Sequence, residues 1–411
     1  MSESFEIGVR RVPGLDLAAP LPDSHPRLMG RIATEIRDSG PMTFARFMEI
    51  ALYDPEAGYY TGGGEDTVAG PGRERDFLTA PEGHPIFGWA IARHLEDVWA
   101  RVDRPARFVV REHGAGSGAL AAGILEGLRR SSSPLFEAIA YQAIEVSPAA
   151  AARLEARLGA AGLAGHLAPA DDRPAVGIVL ANELLDAFPV HRVEGAAPDD
   201  PHGPILERYV TVGSGGELES VLGPVSTSAI GARLAADGVS LEPGQPAEVC
   251  LGLDAWVASA VAPLERGELL LIDYGAEAAD LYAPTRGATL RAYHRHRVHD
   301  DPLVAIGRQD LTAHVDLTAV SRAAADQGME ALGRTTQAAF LDALGLGELL
   351  VALQSEPTTT LESYLEARSA VVRMLDPRAT GAFAVLGFGR GIDRSEPPRG
   401  FSEAGREGSI R

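Results

Sequence analysis

The chain has 411 residues and a mass of 43.2 kDa, enough for one large domain or two to three ordinary ones. Its 45% hydrophobic and 23% charged residues match a globular protein rather than a disordered one. A formal charge of −20 argues against a phosphate-backbone partner, no apolar run approaches the ~18 residues of a membrane span, and all 37 basic residues are arginine, so mechanisms built on a P-loop, Schiff-base or general-base lysine are excluded.

Residues 1–25 read as a loose arm. Helical periodicity begins at Pro26 and runs to Arg37, and returns over Thr43–Leu52, where Phe44, Phe47, Met48 and Leu52 share a face. Tyr53–Gly64 reads as turn and loop, and 65–75 as a flexible connection. From Arg107 onward, strands alternate with helices. Phe108–Arg111, Ala140–Val146, Val176–Ala181 and Leu269–Asp273 are short apolar runs, with helices over Ala119–Leu128 and Pro148–Leu158. Such runs separated by helices predict a mostly parallel α/β sheet covered on both faces. The rhythm lapses over 190–246, where Glu207–Val212 and the Gly-Ser-Gly-Gly turn after it predict a β-hairpin insertion. A loop-rich stretch follows Gly275, then helices over Leu317–Asp326 and Leu361–Leu375. Phe383–Phe388 is an apolar strand expected to close the sheet edge. The tail 393–411 is Pro- and charge-rich and expected to lack order.

The densest chemical signal is Glu112-His113-Gly114-Ala115-Gly116-Ser117-Gly118, between a strand and a helix. Gly114, Gly116 and Gly118 permit a tight turn whose amides approach a ligand closely. With Ala119 the spacing also allows a dinucleotide fingerprint, so a nicotinamide-dependent oxidoreductase stays open. Glu112 points the other way: a carboxylate beside the turn attracts a cationic sulfonium ligand and repels a pyrophosphate. Glu145, at the end of the next strand, is positioned to accept ribose hydroxyls. Asn182 and Glu183 end the third apolar run, at the carboxyl edge where open α/β sheets bind ligands.

Several longer segments carry a family resemblance. They are Thr43–Thr61 (TFARFMEIALYDPEAGYYT), Asp76–Glu82 (DFLTAPE), the glycine loop, Ile144–Pro148 (IEVSP), Ala181–Val190 (ANELLDAFPV) and Asp310–Asp316 (DLTAHVD). Over roughly 26–393 by inspection, the chain resembles the MidA-like family, which includes the mitochondrial complex I assembly arginine methyltransferases. The resemblance implies a class I, Rossmann-like methyltransferase domain over 106–392, S-adenosylmethionine as cofactor, an added helical segment over 26–105 for substrate, and methylation of protein arginine. Departures fall at Arg75, where the family has Gly, and at Gly83-His84-Pro85, where it often has Ser-Gln. They leave open a noncatalytic assembly factor that retains the cofactor.

Guanidinium is a poor nucleophile, with a pKa above ~12, and carboxylates orient it and localise its charge. Glu183 and Asp186 are the candidates after the third strand, with Asp76 and Glu82 singled out by the resemblance. Tyr59 and Tyr60 are expected to stack on an arginine or cover the cofactor. The run His294–Asp301 with His314 and Asp316 is read as a polar lid contacting substrate, not a metal site, because alternating arginines repel a cation. The expected partner is a protein or peptide, with no nucleic acid and no membrane, and a homodimer is left open. Cys250 alone cannot form an internal disulfide, and the N-terminus lacks the core of a signal peptide. Both suggest a cytoplasmic location.

Overall fold

The computed structural model describes residues 20–62, 79–295 and 297–402. Its main sheet has six strands: β1 (Phe108–His113), β2 (Ile139–Ile144), β3 (Ala175–Asn182), β4 (Leu264–Asp273), β5 (Glu330–Thr336) and β6 (Ala384–Arg390). They lie in the order β5-β6-β4-β3-β1-β2. The first four pair in parallel. β6 runs antiparallel between β4 and β5, so β5 points the same way as the first four. The expected mostly parallel α/β sheet is present, and its apolar runs are buried on both faces. The expectation that Phe383–Phe388 closes the edge is corrected: that strand is interior. The edge is Glu330–Thr336, whose exposed polar residues hide it in the sequence.

Helix α1 (Ile86–Arg101) was not foreseen. Ten of its side chains are buried together with Gly88, while the less buried Arg93, Glu96, Asp97, Ala100 and Arg101 recur at helical spacing along one narrow face. It crosses α2 (Ala119–Arg130) at backbone contact, because a Cβ on Gly88 would lie 2.6 Å from Gly123 backbone atoms. His94 of α1 places Nε2 2.8 Å from Glu268 Oε2 of β4, and both side chains are fully buried. A polar pair at that depth persists only because each group supplies the other's partner. Residues 86–101 therefore share the core of the main sheet, with Phe108, Val110 and Ile124. The helices Pro26–Ser39 and Phe44–Tyr53 instead build a separate core with Val190, Val210 and Leu311.

The insertion forms a second sheet. Met42–Thr43, Ile205–Val212, His191–Gly195 and Pro246–Val249 pair in that order, with Leu218–Pro224 branching from Ile205–Val212. The predicted hairpin is present, with Val212 opposite Leu218. The stretch after Gly275 is less loop-like than expected: Arg291–His294, Arg297–His299 and Asp310–Thr312 make a three-stranded sheet. Part of the tail is also ordered. The ring of Phe401 packs 5.2 Å from Phe340 and 5.8 Å from His94, which anchors the turn Arg399–Phe401. Three aromatic rings outweigh the local excess of Pro and charge. Residues 403–411 and most of the N-terminal arm lie outside the described residues.

Candidate active site

A cavity of 720 Å³ opens at the carboxyl end of the parallel strands, where Glu112, Gly116, Glu145, Asn182, Glu183 and Tyr60 meet. The chain leaves β1 at His113 and turns sharply, and the Gly114 amide donates to Ile144 O at 2.8 Å. Gly114 and Gly116 adopt φ of +71° and +55°, left-handed values that cost a side-chain-bearing residue ~1–2 kcal/mol. A Cβ on Gly114 would also lie 2.9 Å from Leu184 Cδ1. Gly118 does not line the cavity; it opens α2 and packs against Leu154. Its role is in the loop's shape rather than in ligand contact.

Three polar groups define the donor side. The Glu112 carboxylate is 4% exposed and accepts from the Tyr141 hydroxyl at 2.7 Å. Burial pushes its pKa up to about 8, with the Tyr141 hydrogen bond opposing and the Glu145 charge adding to the rise. Glu145 accepts from the Gly116 amide at 2.7 Å and the Ser147 amide at 2.8 Å, tying the end of β2 to the glycine loop. Asn182 Nδ2 donates to Glu183 Oε1 at 3.2 Å, while its buried Oδ1 has no partner. Opposite, His113 meets Trp256 edge-on at 5.5 Å, and Trp256 meets Phe188 at 6.0 Å. Burial lowers the His113 pKa to about 4, so the ring is neutral.

These groups fit S-adenosylmethionine. Glu112 suits the α-ammonium of its amino-acid end, the orphaned Asn182 oxygen can accept from the same group, and Glu145 can take ribose hydroxyls. Space for close approach exists at Gly116, where the nearest atom to an added Cβ, Gly114 O, is 4.0 Å away.

Glu183 faces the cavity from a left-handed backbone, φ +52°. Burial first, then the charge of Asp186, pushes its pKa up to about 8, against hydrogen bonds from Asn182 and the Ala80 amide. Asp186 is 7% exposed and sits behind this wall rather than on it. Its pKa rises to about 6 through burial, opposed by the Tyr274 hydroxyl. Tyr60 lines the cavity and donates to Asp310 Oδ1 at 2.7 Å. Tyr59 meets it edge-on at 5.0 Å, and Tyr53 stacks on it at 5.6 Å. Tyr53 in turn donates to Ala187 O at 2.9 Å. Sequence reasoning missed Tyr53 and Asp310, although both lie in or beside the quoted motifs.

Several expected site residues sit elsewhere. Glu82 lines the donor side: it accepts from Ser117 of the glycine loop and from Arg157, the latter at 3.2 Å. The short turn Ala80–Gly83 is thus strapped across the loop. Asp76 lies outside the described residues. His314 does not line the cavity; its Nδ1 accepts from Arg286 at 3.0 Å, and its ring meets Tyr274 edge-on at 5.3 Å. Asp316 caps the helix Leu317–Asp326, accepting from the Ala319 amide at 2.9 Å. An aspartate just before an apolar helical run is a capping signal, and that reading fits better than substrate contact.

The comparisons with known proteins support the same cofactor. Residues 90–335, more than half of the chain, match a family model described as "Putative S-adenosyl-L-methionine-dependent methyltransferase". A Burkholderia thailandensis protein solved with S-adenosyl-homocysteine bound is 32% identical, with a TM-score of 0.81, covering 93% of this chain and 98% of its own. "Protein arginine methyltransferase NDUFAF7, mitochondrial" from Danio rerio is 27% identical, covering 92% of each chain. Its Drosophila melanogaster homolog is 29% identical over 77% of this chain and 74% of its own. Both curated relatives are named as mitochondrial, which overturns the cytoplasmic expectation. A single cysteine does not distinguish one reducing compartment from another. The nicotinamide reading of the glycine loop falls away with them. The chain belongs to this family of S-adenosyl-L-methionine-dependent methyltransferases, and S-adenosylmethionine is its methyl donor.

Proposed function

We propose that the acceptor is the guanidinium of an arginine in a protein or peptide. The observation that carries the reading is Glu183, a cavity-facing carboxylate next to the donor groups, backed by Asp186 and by the Tyr60–Asp310 pair. Buried acids with hydroxyls between them suit a planar cation with several N–H donors. The names of the curated relatives support the same acceptor, and a net charge of −20 favours the approach of basic segments.

S-adenosylmethionine, when bound, supplies an electrophilic methyl on a sulfonium. Glu183 orients one guanidinium nitrogen behind that methyl and takes its proton as the N–C bond forms and the C–S pair returns to sulfur. A carboxyl whose pKa is pushed up to about 8 is a stronger base than an ordinary glutamate. The strap at Ala80–Gly83 and the tyrosine wall exclude water, which strengthens each of these interactions. Glu183→Gln keeps the shape and removes the base. With labelled donor and a cell lysate, the variant should lose ~100-fold or more in transfer while binding S-adenosylhomocysteine as the wild type does. Wild-type transfer by the variant would refute the reading.

A further inference from the structure

We propose that Asp273, a residue no sequence motif singled out, is the positioning residue that aims Glu183 at the acceptor. This rests on the reading of Glu183 given above. Asp273 ends β4 and is 3% exposed. Its Oδ2 accepts from the Leu185 amide at 2.8 Å and the Leu184 amide at 3.2 Å, and its Oδ1 from the Tyr274 amide at 2.8 Å. The two leucine amides immediately follow Glu183 and open the single turn Leu185–Ala187, so Asp273 caps that turn from a neighbouring strand. The carbonyl side is held as well: Asp186 O accepts from the Ala313 amide and Ala187 O from the Tyr53 hydroxyl, each at 2.9 Å. The Glu183 amide donates to Ile272 O at 2.8 Å.

Held at both ends, the segment keeps Glu183 at φ +52°, which a glutamate does not choose by itself. Without the cap, the two leucine amides lose their buried acceptor. Glu183 then relaxes to a negative φ, and its Cα–Cβ bond swings away from the cavity. An asparagine cannot replace the aspartate here, because its NH2 would face either the Tyr274 amide or the leucine amides, donor against donor.

The full chain tests this with Asp273→Asn, Glu183→Gly and the double variant. If Asp273 restrains a left-handed Glu183, its loss costs less where residue 183 is a glycine. The melting-temperature drop from Asp273→Asn should then be at most about half as large in the Glu183→Gly background. In the single Asp273→Asn variant, S-adenosylhomocysteine affinity should stay within about twofold, while single-turnover transfer at saturating donor falls about 100-fold, as expected for a misplaced reacting group. If Asp273→Asn folds only in the Glu183→Gly background, the coupling is established by that result. Equal temperature drops in both backgrounds, or failure to fold in both, would overturn the proposal. So would wild-type transfer by Asp273→Asn while Glu183→Gln is inactive. Should Glu183→Gln itself transfer normally, the acceptor reading falls first and takes this inference with it.

Discussion

Donor affinity should climb steeply with pH, and Glu112 should set the slope. Burial pushes this carboxyl up to about 8 in the ligand-free site, despite the hydrogen bond from Tyr141. The ligand's α-ammonium favours the ionised form, so proton loss and binding are coupled. If only the ionised form binds, the apparent Kd carries a factor of one plus ten to the power of 8 minus pH. That factor is about 100 at pH 6 and about 2 at pH 8, a tightening of about fifty-fold or about 2.3 kcal/mol. Near pH 7 about nine in ten sites hold the proton, so each binding event should release close to one. Calorimetry with S-adenosylhomocysteine in two buffers of different ionisation enthalpy measures both quantities. The ligand's own amino group titrates in wild type and in Glu112→Gln alike, so the difference between their slopes isolates Glu112. A wild-type Kd that is flat from pH 6 to 8, or an equal slope in Glu112→Gln, would refute the argument.

Two further substitutions separate loop shape from strap. Gly114→Ala places a side chain at φ +71°, with its Cβ 2.9 Å from Leu184 Cδ1, and should cost ~1–2 kcal/mol of stability; an unchanged urea midpoint would contradict the strain. Glu82→Gln weakens the contacts to Ser117 and Arg157 and should loosen S-adenosylhomocysteine about tenfold, with the transfer rate at saturating donor preserved. Lost transfer with unchanged donor affinity would return Glu82 to acceptor chemistry.

The proposed donor half of the site was legible in the sequence because its parts are local. A strand, a glycine turn and an acid two residues before it form one continuous segment, and Glu145 and Asn182 mark the ends of apolar runs that periodicity identifies. The proposed acceptor half was less legible because it is assembled across the fold. Tyr60 meets Asp310 across 250 positions, and Asp273 caps a turn 88 residues away, so no local pattern announces either. Glu82, assigned to the acceptor by its motif, accepts from Ser117 of the glycine loop, because motif membership does not fix where a side chain points. The edge strand Glu330–Thr336 was disguised by its exposed polar residues, whereas α1 carries a stripe of Arg93, Glu96, Asp97 and Arg101 at helical spacing that was legible in the sequence.

The most direct test of the account is to digest the labelled products formed from a lysate by the wild-type chain with labelled S-adenosylmethionine and to locate the methyl group by mass spectrometry. The account predicts label on arginine side-chain nitrogens of proteins, absent from the Glu183→Gln reaction. Label confined to another residue type, or to small molecules alone, would contradict it.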